Sequence, residues 1–92
     1  MLNTSAIQDY LKSKPVRRAY LFGSHARGEE NQNSDIDILL DLDENVDLFE
    51  FARIKNQLEE LLHQSVDLLS LKGISPRIRP YIDADKILIY ER

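Results

Sequence analysis

Cysteine is absent from this 92-residue chain. Disulfides, thiolate metal sites and a cysteine nucleophile are therefore excluded. Long apolar runs are missing too: none approaches the length of a membrane span, and the first residues lack the basic and apolar regions of a secretory signal. The expectation is a cytoplasmic protein with no membrane attachment. Positive charge is scarce, with 12 Lys and Arg against 16 Asp and Glu for a net charge of -4. A domain that tracks nucleic acid is usually basic, so direct binding to DNA or RNA is not expected. Acidity still leaves room for a nucleotide, because bound Mg2+ offsets carboxylates locally, and for docking on a basic partner. No repeat, low-complexity tract or linker divides the sequence. Residues 1–92 read as one small domain with a limited core.

What is present alternates between helical and extended patterns. Thr4 to Lys12 reads as a helix with Ile7, Tyr10 and Leu11 on one face and Thr4 or Ser5 as its cap. Pro15 ends it, and Val16 to Phe22 reads as a strand closed by Gly23. Ser24 to Gly28 is short and helical in character; Glu29 to Ser34 is a polar surface loop. From Asp35 to Leu42 the pattern alternates. Ile36, Ile38, Leu40 and Leu42 take the face that packs on helices, leaving Asp35, Asp37, Leu39 and Asp41 toward an open cleft. Asp47 and Glu50 resemble a capping box before a long helix carrying Leu48, Phe51, Ile54, Leu58, Leu61 and Leu62 as its apolar stripe. Ser65 to Ser70 is a third strand in which Asp67 faces away from Val66 and Leu68. Pro76 and Pro80 point to a short, kinked helix after Gly73, and Ile87 to Tyr90 to a closing strand. The expected order is α-β-α-β-α-β-α-β, an α/β (α+β) sheet domain with helices mainly on one face.

The chemistry is concentrated in Gly23-Ser24-His25-Ala26-Arg27-Gly28 and, soon after, Ser34-Asp35-Ile36-Asp37. Carboxylates one residue apart on a strand project from the same face, about 6.5–7 Å apart at the backbone. Nucleotidyl transfer asks little covalent work of a protein; positioning and charge neutralisation supply most of the rate. Two Mg2+ ions about 3.5–4 Å apart stabilise both the attacking and the leaving oxygen of an in-line displacement. Mg2+ takes oxygen ligands, typically a few carboxylates plus substrate phosphates. Asp35 and Asp37 meet that need, with Asp67 as the third carboxylate. A glycine followed by serine at a helix start offers backbone N–H groups and a hydroxyl to a polyphosphate, and Gly23 allows the backbone to come close.

The ordered set of Gly23-Ser24-X-Ala-Arg-Gly, Ser34-Asp35-Ile36-Asp37-Ile38-Leu39 and Val66-Asp67-Leu68 resembles the minimal nucleotidyltransferase family of the DNA polymerase β superfamily. The similarity runs from about Val16 to the closing Leu88-Ile89-Tyr90-Glu91. It implies a small nucleotidyltransferase-type mixed sheet, with Gly23 and Ser24 binding nucleotide and Asp35, Asp37 and Asp67 as catalytic Mg2+ ligands. The third carboxylate acts in that family as the base for the attacking hydroxyl or orients it. Arg27 matches the motif arginine and is expected near the phosphates or at the partner surface. Members of this size are commonly antitoxins whose partners resemble HEPN-domain ribonucleases. The implied reaction is transfer of AMP from ATP to a tyrosine of that toxin, which silences it. Two alternatives stand beside it: an antitoxin that neutralises by binding alone, and a nucleotidyltransferase acting on a small molecule or RNA.

Simpler roles remain open for individual residues. Asp41 shares the face of Asp35 and Asp37 and rivals Asp67. Ser24 could be a helix cap only, and Arg27 a surface charge. His25 occupies the variable motif position and reads as incidental, whereas His63 suits a helix end as a cation. Arg77 and Arg79 could reach a phosphate or acidic groups of a toxin, but read first as a solvated face, and Tyr81 and Tyr90 read as core or rim aromatics.

Overall fold

The computed structural model describes residues 2–92. Helix α1 (Thr4–Leu11) starts at Asn3, whose side chain accepts a hydrogen bond from the Ala6 N–H. The cap thus lies one residue before the expected Thr4, at a residue type equally suited to it. Strand β1 (Val16–Phe22) runs directly into the five-residue helix α2 (Gly23–Arg27), and Gly28 closes α2 in the left-handed conformation. Strand β2 (Ile36–Leu42) follows the polar loop. Helix α3 (Leu48–Leu62) opens at Asp47, which accepts from the Glu50 N–H at 2.8 Å. It ends at His63, which adopts φ 54, ψ 35; this residue is the left-handed cap of the helix.

Strand β3 (Val66–Ser70) leads through a single 3-10 turn (Leu71–Gly73) to α4 (Arg79–Asp85) and β4 (Ile87–Glu91). The two prolines do not kink α4. Pro76 precedes the helix and Pro80 sits in its first turn, where the missing N–H has no helical partner to lose.

The four strands form one sheet in the order β3-β2-β1-β4. β1 pairs antiparallel with β2 and β4, whereas β2 and β3 are parallel and joined by α3 as a crossover. The sheet is mixed, as the resemblance implies. On one face, Ile36, Ile38 and Leu40 of β2 join Ala19, Leu21, Val66 and Leu68 in a core sealed by Ile7 and Leu11 of α1 and Ile54 and Leu58 of α3. Burying side chains of this size contributes about 1.5–3 kcal/mol each.

The opposite face is less open than the alternation of β2 implies. Leu39 is fully buried, and Asp41 is 8% exposed. Asp41 pairs in register with Arg18 and is held by Arg17 and Arg18, each at 3.3 Å. α4 covers part of this face and buries Ile82 outside the main core. The end of the face that carries Asp37 opens to solvent beside Asp35 and Asp67. Among the described residues, no helix is long and apolar enough to cross a membrane.

Candidate active site

Register, more than sequence proximity, assembles the site. In the parallel β2–β3 pair, Asp37 lies opposite Asp67, and neighbouring strands are about 4.8 Å apart. Their side chains therefore leave the same face side by side. Asp35 immediately precedes β2 and is exposed. On the other side of β2, Phe22 is the register partner of Asp37, so the chain turns at Gly23 directly beside that carboxylate.

Gly23 is required there for two independent reasons. Its φ of +70° lies in the left-handed region, and a Cβ would run into Asp37 Oδ2 and lie 3.0 Å from its Cγ. The Gly23 turn and the carboxylate are thus in van der Waals contact across the strand pair. Ser24 stands in the first turn of α2, half-buried, and among the described residues its hydroxyl has no hydrogen-bond partner.

The electrostatics are unbalanced. Burial raises the Asp37 carboxyl above its ordinary pKa of 3.8, and the charges of Asp67 and then Asp35 push it further; His25 opposes them weakly. Among the described residues, none of the three carboxylates has a Lys, Arg or His within ion-pair distance, although Asp9, Asp41, Asp43, Asp83 and Asp85 all do. A cluster of like charges without a counter-ion is destabilising unless a cation joins it. Hard oxygen donors of this kind suit Mg2+. The described residues contain no closed group of three or more acidic, histidine or cysteine side chains around one metal position. Asp37 and Asp67 form the adjacent pair and Asp35 flanks them, so a cation there would complete its shell with water or ligand oxygens.

A cleft of about 310 Å3 opens beside them, lined by Gly23, Phe22, Arg27, Asp67 and Leu69, with Ile78, Tyr81, Ile82 and Asp85 of the α4 region opposite. A larger hollow of about 470 Å3, among Tyr10, Lys14, Gln57 and Leu61, lies away from these groups. Arg27 is not free to meet a ligand with its whole guanidinium. Its Nε donates to Glu29 and one Nη to Asp85, both at 2.6 Å, which ties α2 to α4. Asp41, held by its two arginines, lies four residues further along the strand, away from the cluster.

Two features of the site are not evident from the sequence. His25 is more than a filler: its Nδ1 is buried without a partner and its charge is felt at Asp37. The α4 wall is the other, and the i, i+3, i+4 spacing of Ile78, Tyr81 and Ile82 is the signal that marks it.

A left-handed glycine turn set against carboxylates that lack a counter-charge among the described residues is an arrangement that could take a cation-bound polyphosphate. Residues 5–92 match the family described as Polymerase beta, Nucleotidyltransferase. The chain belongs to that family, and it is an enzyme of the nucleotidyltransferase class. It is 43% identical to MJ0435 of Methanocaldococcus jannaschii, provisionally named a protein adenylyltransferase, over 73% of this chain and 72% of that protein. It is 44% identical to the protein adenylyltransferase MntA of Thermococcus cleftensis over 68% of this chain and 64% of that one. A toxin–antitoxin crystal structure with AMP-PNP contains a chain that superimposes with a TM-score of 0.87 at 26% identity, over 99% of this chain and 75% of that one.

Proposed function

We propose that this enzyme transfers AMP from ATP to a tyrosine of a HEPN-domain ribonuclease toxin and thereby acts as its antitoxin. The observation that carries the reading is the in-register Asp37–Asp67 pair set against the Gly23 turn with no cation beside it. The names of the relatives and the toxin–antitoxin assembly of the structural neighbour support the choice of acceptor.

Asp35, Asp37 and Asp67 are the residues that would hold Mg2+. Bound there, Mg2+ supplies charge neutralisation for the phosphates and for the oxygens that attack and leave. The Gly23-Ser24 turn holds the polyphosphate through backbone N–H groups and the serine hydroxyl. The tyrosine oxygen attacks the α-phosphorus, its proton passes to a carboxylate oxygen of Asp67, and a new O–P bond forms. The bond between the α-phosphorus and the bridging oxygen breaks, and pyrophosphate leaves with that electron pair. Phe22, Leu69 and Ile82 give the cleft an apolar wall beside Asp67.

The test incubates the protein with ATP labelled at the α-phosphate, Mg2+ and the product of the neighbouring gene. Label on a tyrosine of that product, absent with Asp35→Ala/Asp37→Ala and with the tyrosine changed to phenylalanine, is the expected result. Full protection by the double variant without labelling would establish neutralisation by binding alone. Labelling of a small molecule or RNA by the isolated chain would overturn the choice of acceptor.

A further inference from the structure

The stretch from Leu71 to Ile82 departs in charge from the rest of the molecule. It carries Lys72, Arg77 and Arg79 and no acid, which is +3 within a chain of net -4, so the remainder stands at -7. Every residue from Ser75 to Tyr81 is exposed. Among the described residues, Lys72 and Arg77 have no acidic partner, and Arg79 reaches only Asp83, at 3.5 Å with both side chains about half exposed. Cations elsewhere are engaged: Arg17, Arg18, Arg27 and Arg92 each lie within 3.3 Å of a carboxylate. The same stretch exposes apolar surface. Ile78 is 43% and Tyr81 74% exposed, and both form the wall of the cleft that holds Gly23 and Asp67. A solvated basic loop would account for the charge. It would not place an exposed aromatic and an exposed isoleucine between and beside the arginines, at the mouth of an acidic site.

We propose that residues 72–81 are the docking ridge for an acidic, tyrosine-bearing segment of the acceptor protein. The inference rests on the adenylyltransferase reading for the identity of the occupant. Ile78 and Tyr81 flank the entering aromatic ring, while Lys72, Arg77 and Arg79 pair with carboxylates on either side of it. The division of charge gives the ridge its selectivity. Asp67 inside the cleft, which has no ion-pair partner among the described residues, repels an acid and admits a neutral phenol, whereas the basic rim retains the acids outside.

Fluorescence anisotropy of a labelled glutamate-rich peptide with one central tyrosine tests this, using the full chain without nucleotide. Its binding should weaken ~10-fold or more in the combined variant Lys72→Glu/Arg77→Glu/Arg79→Glu, and should weaken with added salt in the wild type. The milder Lys72→Gln/Arg77→Gln/Arg79→Gln variant should fall between them, with circular dichroism and melting unchanged in both. A lysine-rich peptide of the same design should bind the charge-reversed variant better than the wild type. Absence of binding by the wild type, or equal binding by wild type and variants, would overturn the proposal. So would tighter binding of a single-stranded RNA oligonucleotide, or an equal loss of Mg-ATP affinity by calorimetry, which would assign the cations to the triphosphate. Cation-dependent peptide binding without AMP transfer would refute the reaction and leave the ridge standing.

Discussion

At the scale of single residues, Gly23 and Asp37 constrain one another. Gly23→Ala places a methyl group against Asp37 and forces an alanine to φ +70°. The left-handed backbone alone costs about 1–2 kcal/mol. Displacement of the carboxylate by even ~1 Å should lower transfer about 100-fold. Melting curves and initial rates measure the two effects separately. Asp37 carries a second, opposite consequence. Its folded-state pKa lies above the ordinary 3.8 because burial and two neighbouring acids disfavour its charge. Between those two values the folded chain binds more protons than the unfolded one, so this group makes stability fall as pH rises through that window, and the deficit persists above it. Asp37→Asn should therefore melt at or above the wild-type temperature at pH 7, with that advantage vanishing near pH 4. Nucleotide transfer should fall at least ~100-fold in the same variant. A melting temperature below wild type at pH 7 would show that the folded state favours the ionised carboxylate, contrary to an uncompensated acidic cluster.

At the scale of elements, α3 sets the position of β3 and thus of Asp67. Asp47→Ala removes the cap of α3 and should cost about 1 kcal/mol. In a domain of this size that is roughly 4–8 °C in Tm, with turnover per folded molecule unchanged. Leu58→Ala, at a fully buried position of the same helix, should cost about 2–5 kcal/mol and be visible in urea unfolding. The cap of α3 and its buried Ile54 and Leu58 were legible because each is a local pattern, whereas Leu48, 84% exposed, and Leu61, 39% exposed, lie outside the core although the helical spacing counts them in the stripe. The same is true of β2, whose alternation identified Ile36, Ile38 and Leu40 as core. Its other face was misread at Leu39 and Asp41, because a strand's alternation says which residues share a face and not what covers that face. Choosing Asp67 over Asp41 needed motif order; the physical reason, two arginines at β1 that engage Asp41 and a parallel register that pairs Asp67 with Asp37, exists only in three dimensions. Arg27 was recognised as a motif residue, but its partner Asp85 lies 58 positions away and left no trace in local sequence.

At the scale of the whole molecule, charge decides the response to ligands. A chain of net -4 with three uncompensated acids at one end of its sheet should bind ATP weakly in EDTA. Mg2+ should raise that affinity ~10-fold or more by calorimetry. Mg2+ together with ATP should also raise the melting temperature, because a ligand held only by the folded state stabilises it by mass action. Asp37→Asn should abolish that shift. Equal ATP affinity with and without the cation would contradict the proposed site.

The parallel pairing of β2 with β3 also has a bearing on biosynthesis. A ribosome that has delivered the first 60 residues to the solvent has released the glycine-serine turn and two of the acids, but the strand that completes the trio is still to come. On the proposed reading, competence for transfer waits for that strand, and a product ended before residue 66 should transfer no nucleotide.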